Sequence, residues 1–165
     1  MYLFLLFLLF NQSFPCSIFG YIGNNICNKI IIEGLKKLEY RGYDSAGIAF
    51  LDQSASSIDI VKSVGKLDNL NEKLSYVHKN YYCGIGHTRW ATHGEANYLN
   101  AHPHCDVHNK TALVHNGIIE NHFELKDFLK SQKITFASNT DTEVIPHLFS
   151  LESESCDLKQ KVINV

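Results

Sequence analysis

The stretch Ala46-Gly47-Ile48-Ala49-Phe50-Leu51-Asp52-Gln53-Ser54-Ala55-Ser56-Ser57-Ile58-Asp59-Ile60-Val61-Lys62-Ser63-Val64 decides the fold class. Its first part, Ala46 to Leu51, is apolar and has the length of a buried strand. Asp52 to Ser57 is small and polar, the chemistry of a hairpin loop, and Ile58 to Val64 returns as a strand. Strands joined by so short a loop pair antiparallel, because a parallel pair needs a crossover of about a dozen residues or more.

Working outward toward the N-terminus, a turn around Arg41, Gly42 and Asp44 precedes this hairpin. Before it, Asn28 is placed to cap a helix whose stripe Ile30, Ile31, Leu35 and Leu38 runs to about Glu39. Ser17 to Ile22 reads as a strand punctuated by Gly20 and Gly23. Toward the C-terminus, Leu67 to Val77 is an amphipathic helix, with Leu67, Leu70, Leu74 and Val77 on one side. Cys83 to Thr88 is a short, glycine-bearing strand, and Arg89 to Asn109 has no regular period and is expected as loop. Thr111 to His115 is a strand ending in Asn116-Gly117, and Asn121 to Lys130 is helical with Phe123 and Phe128 expected to face inward. Thr140 and Glu143 form a capping-box pattern for a further helix, bent or shifted by Pro146. The pattern stops without a terminating signal over Leu158 to Val165, as expected of a piece of a longer chain. Strands and helices thus mix, with antiparallel pairs, which is the signature of an α+β layered fold.

The 165 residues are 45% apolar and 19% charged, ordinary for a globular domain, and the formal charge of -2 leaves no footprint for nucleic acid or an anionic membrane. Tyr2 to Phe10 are unbroken apolar and aromatic, but the run is far short of the ~20 residues that span a bilayer. It also lacks the preceding positive charge of a secretory signal. Residues 1–15 are therefore read as an extension of doubtful status ahead of a unit spanning 16–165. The five cysteines, Cys16, Cys27, Cys83, Cys105 and Cys156, form no regular framework, which fits free thiols in a reducing, cytoplasmic setting. Basic residues are nearly all lysine, and Arg41 and Arg89 are the only arginines. An arginine fork grips a carboxylate with two hydrogen bonds, so each is suspect as a working residue, although Arg41 reads better as a brace for the Asp44 turn.

Four polar, glycine-bearing segments sit at strand ends or helix starts: Tyr40 to Gly47, His87 to Glu95, His115 to Asn121 and Thr140 to Glu143. Together they hold the parts of a site for a small zwitterion. Arg89 offers donors to a carboxylate, with Thr92 and His93 able to add more, and Asp141 offers charge to an ammonium. Asn116 and Gly117 supply a side-chain amide and an unhindered backbone N–H that can face an oxyanion, and Trp90 can cover the ligand. The nucleophile stays open among five thiols. Cys16, just before the first strand, has the chemical advantage that a terminal cysteine can use its own α-amine as base. The run His102, His104, Cys105 and His108 invites a zinc reading, but its intervals are irregular, and His102 is expected instead to support the site loop by hydrogen bonds.

These segments, with Ala101 to His104, resemble the glutaminase domain of the glutamine–fructose-6-phosphate aminotransferase (isomerizing) family, in order from Cys16 to about Leu148. The Tyr-Arg-Gly-Tyr-Asp and Arg-Trp-Ala-Thr-His stretches separate it from the sister amidophosphoribosyltransferases. The resemblance implies a class II glutamine amidotransferase of N-terminal-nucleophile (Ntn) hydrolase type, an αββα sandwich truncated at its C-terminus. It also implies that Cys16 is the nucleophile and that Asn116 and Gly117 form the oxyanion hole. Arg89, Thr92 and His93 then bind the glutamine carboxylate, Asp141 its ammonium, and Trp90 shields the site. No metal and no cofactor is implied. Ammonia would pass to fructose 6-phosphate through sugar-phosphate isomerase domains outside this chain, in a full-length homodimer. Ser17 stands where the family has glycine, so a Cβ is expected to crowd the turn at the nucleophile. Pro15 stands where the family has a removable Met, so the Cys16 amine is an amide as the sequence is written. A catalytically inactive glutamine-binding or interaction module is the alternative.

Overall fold

A computed structural model describes residues 3–7, 16–42, 44–54, 56–90, 95–152 and 157–165. In chain order its elements are β1 (Leu3–Phe7), β2 (Ser17–Ile22), α1 (Cys27–Lys36), β3 (Ser45–Asp52), β4 (Ser57–Val64) and α2 (Leu67–Ser75). They continue with β5 (Cys83–Arg89), β6 (His104–Cys105), β7 (Thr111–His115), α3 (His122–Ser131), α4 (Val144–Leu151) and α5 (Leu158–Asn164). Two sheets result, one in the order β2-β5-β3-β4 and one in the order β1-β7-β6. The first is antiparallel throughout, and the Ala46–Val64 hairpin is its β3–β4 edge. In the second, β1 pairs parallel with β7 and β6 pairs antiparallel with it.

Apolar side chains explain the layering. Alternate residues of a strand point to opposite faces, so β3 buries Ala46, Ile48 and Phe50 under α1 and α2. On its other face Ala49 meets Ile58, Ile85, Ala112 and Val114 between the sheets. Leu129, Ile134 and Val144 close a third cluster where α3 and α4 cover the second sheet. The layers therefore run helix, sheet, sheet, helix. No helix among the described residues is long and apolar enough to cross a membrane.

Several local expectations are corrected. Asn28 is not the cap of α1; the helix begins at Cys27 after Ile26, with no side-chain cap. Phe123 and Phe128 do not face inward; they are 72% and 50% exposed, while Leu129 is buried. The capping box does not form, because Glu143 accepts from the Ala137 and Ser138 backbone N–H groups (2.8 and 2.7 Å), and Thr140 Oγ1 meets His104 Nε2 (3.0 Å). Pro146 sits in the first turn of α4, where its missing N–H has no intrahelical acceptor to lose. The supposed loop from Arg89 to Asn109 contains β6, and Arg89 itself is the last residue of β5, paired with Ser45.

Candidate active site

Cys16 precedes β2, and the pairing of Ser17 with Thr88 brings it beside the end of β5. The Trp90 backbone N–H donates to Cys16 Sγ (3.3 Å), and the thiol donates to the Trp90 carbonyl (3.7 Å). Ser17 does not crowd this turn. It is buried within regular β pairing, its φ is not positive, and its hydroxyl donates to the Leu38 carbonyl (2.9 Å). From the second sheet, the segment after β7 brings Asn116, whose Nδ2 donates to the Cys16 carbonyl (3.1 Å). Gly117 follows, and a Cβ there would collide with the His115 ring. Cys16, Arg89, Trp90, Asn116, Gly117 and Asp141 line one cavity of about 30 Å³, room for a water or two. Of the expected site residues, Thr92 and His93 lie outside the described residues.

Charge in this cavity is divided. Arg89 is buried, and its Nη1 donates to the Glu95 carbonyl (3.4 Å). Burial lowers the pKa of its guanidinium, while nearby Cys16 and Asp141 work in the opposite direction. Asp141 is also buried, its Oδ2 accepting from the Ile119 N–H (2.7 Å) and its Oδ1 from the Thr142 hydroxyl (3.3 Å). A carboxylate has about four acceptor sites, so capacity for an ammonium remains. Burial pushes the Cys16 thiol above its ordinary pKa, against the Trp90 N–H and the Arg89 charge, which lower it. Cys27 and Cys105, pushed up to about 12 mainly by burial, lie away from this cavity. Cys156 lies outside the described residues.

Sequence reasoning missed three residues. Asn100 ties both rims together: its Nδ2 donates to the Glu95 carbonyl (3.0 Å) and its Oδ1 accepts from the Asn139 N–H (2.9 Å). Glu143 anchors the approach to Asp141. Burial alone would raise its pKa, but hydrogen bonds from His147, Ser138 and the Ala137 N–H hold it near 2. His87, fully buried, meets Asn116 Oδ1 through Nε2 (2.8 Å). Its only sequence signal was its place at the head of the Arg89 motif. His102, expected to support the site loop by hydrogen bonds, instead accepts at Nδ1 from the His115 N–H at the end of β7 (3.4 Å). Among the described residues no group of three or more His, Cys, Asp and Glu side chains is arranged to hold a metal ion.

The family model for the glutamine amidotransferase domain matches residues 59–161. The chain belongs to the glutamine amidotransferase family. This amidotransferase chain is 55% identical over 133 residues to glutamine–fructose-6-phosphate aminotransferase (isomerizing) of Pyrococcus horikoshii, covering 81% of the chain and 22% of that protein. It is 47% identical over 147 residues to the enzyme of the same name from Cyanidium caldarium, covering 87% and 23%. The chain thus spans about a quarter of the length of the curated relatives it matches. Among solved structures, the glutamine phosphoribosylpyrophosphate amidotransferase of B. subtilis superposes with a TM-score of 0.72 at 30% identity, over 89% of this chain and 31% of that one. An allosteric regulatory enzyme of purine biosynthesis gives 0.73, also at 30% identity, over 89% and 32%. The amidotransferase fold is therefore the Ntn-type α+β sandwich expected from sequence.

Proposed function

We propose that this chain is the glutamine-hydrolysing part of a glutamine–fructose-6-phosphate aminotransferase, with Cys16 as nucleophile. The observation that carries the reading is the single cavity shared by a thiol, an amide donor, a buried guanidinium and a buried carboxylate. Arg89 holds the glutamine α-carboxylate, helped by Thr92 and His93, and Asp141 holds its ammonium. That clamp brings the γ-carboxamide to Cys16. The sulfur adds to the amide carbon as its proton leaves, and the oxyanion that forms is met by Asn116 Nδ2 and the Gly117 N–H. Collapse expels ammonia, carrying the transferred proton, and leaves a γ-glutamyl thioester that water hydrolyses to glutamate. Trp90, which lines the cavity and is 40% exposed, covers the bound glutamine.

The proton acceptor is the α-amine of Cys16, which exists only once the Pro15–Cys16 bond is cut. Residues 1–15 are then a removable extension and 16–165 the amidotransferase unit. Isomerase domains beyond it receive the ammonia and add it to fructose 6-phosphate, in a cytoplasmic homodimer. The intact Pro15–Cys16 amide favours one other reading, an inactive glutamine-binding module. Mass spectrometry of the mature protein separates them. An N-terminal Cys16, with glutaminase activity that Cys16→Ala abolishes, supports the enzyme. Retained Met1 to Pro15 with no turnover supports the module, and substantial turnover by Cys16→Ala removes Cys16 from its role.

A further inference from the structure

We infer that His87 is a positioning residue that selects which end of the Asn116 amide faces Cys16; this rests on the oxyanion-hole role proposed above. A terminal amide turned by 180° has nearly the same shape, but it exchanges a donor for an acceptor. With the nitrogen toward Cys16, Asn116 stabilises an oxyanion. With the oxygen there, it repels one. Two partners discriminate between them: the Cys16 carbonyl (3.1 Å from Nδ2) holds the nitrogen end, and a second group holds the oxygen end.

The second contact of the amide is 2.8 Å long and lies against His87 Nε2. Asn116 Oδ1 can only accept, so Nε2 carries the proton and donates. A His87 protonated at Nδ1 instead would present a lone pair at Nε2 and draw the amide nitrogen away from Cys16. The ring has little freedom to change its aim. His87 lies in the middle of β5, paired with Ile18 on one side and Gly47 on the other, and its ring sits 4.4 Å from that of His102. A Cβ at Gly47 would strike the His102 carbonyl, so the backbone behind the ring is closely packed. The charged and titratable groups around it are Arg89, His102, His104 and His115. Burial foremost, then Arg89 and His115, oppose a proton on this ring, and its pKa falls to about 4. The donor is therefore a neutral imidazole across the range in which a cysteine enzyme works.

The test is a double-mutant cycle in the processed, full-length protein, read as kcat and KM for glutamine. His87→Leu, which removes the donor, is expected to lower kcat by about 10–10²-fold, somewhat less than loss of a whole oxyanion donor. KM should stay within about twofold, because Arg89 and Asp141 are untouched. In an Asn116→Ala background the same substitution should change kcat by less than about twofold, since His87 acts only through that amide. Equal losses in both backgrounds, or a wild-type kcat for His87→Leu, would overturn the inference. If His87→Leu does not fold, His87→Gln decides, its amide N–H reaching the same oxygen: kcat within about tenfold of wild type supports the role and a larger loss overturns it. Failure of the oxyanion-hole reading itself looks different, because Asn116→Ala alone would then leave kcat unchanged.

Discussion

Replacing Arg89 by lysine keeps the charge and discards the fork. A bidentate, charge-assisted contact is worth more than a point charge at the same distance, by about 1.5–3 kcal/mol. Arg89→Lys should therefore raise the glutamine KM by roughly 10–10²-fold with a smaller effect on kcat, and an unchanged KM in steady-state kinetics would remove the carboxylate role. The thiol makes a separate prediction. Because burial raises the Cys16 pKa, the neutral form dominates at pH 7, and thiolate grows about tenfold per pH unit until that pKa is passed. In the unprocessed chain, Cys16 alkylation by iodoacetamide should climb steeply from pH 7 to 9. A rate already level at pH 7 would show a thiolate that the geometry does not predict. Ser17 shows how far residue-level reading reaches. The sequence predicted a steric cost for its Cβ, whereas the strand geometry accommodates it and its hydroxyl gains an acceptor at Leu38.

At the scale of elements, the site is built where strands stop. β5 ends in Arg89 and β7 ends one residue before Asn116, so two sheets deliver their last side chains to one cavity. Such convergence tolerates little extra volume. Gly117→Ala would drive a methyl into His115, and moving the 116–117 turn should lower kcat by about tenfold or more, while thermal unfolding shows a folded protein. Strand positions were legible from the sequence because β2, β3, β4 and β7 are short, apolar-rich runs bounded by glycine or small polar residues. The inward Phe123 and Phe128 and the capping box were misread for one shared reason. Each depended on which partner lay across from the element, and local pattern does not name that partner. Leu129 took the core-facing position, and Glu143 found Ser138 before Thr140.

At the scale of the whole molecule, the space between the sheets is polar at one end. His87, His102 and His104 lie there ring against ring, all buried, and burial lowers the pKa of each. In the unfolded chain these histidines bind protons near pH 6.5, while the folded state resists them. The unfolded form therefore binds more protons as pH falls, and stability drops between about pH 6.5 and 4. His87 alone, displaced from 6.5 to about 4, accounts for about 3 kcal/mol of that loss. Thermal unfolding of the purified protein should show Tm falling steadily from pH 7 to pH 5, and a flat profile would contradict neutral burial of the cluster. Sequence by itself determined the antiparallel hairpin, the alternation of helices and strands and the chemical types at the site, because each is written in local periodicity and side-chain chemistry. Only the tertiary structure decided that Asn116 meets His87, that Asn100 joins the two rims and that Glu143 serves the loop before Asp141. Those contacts are made between elements or across irregular loops, where no local periodicity names the partner, so their geometry exists only in the folded chain.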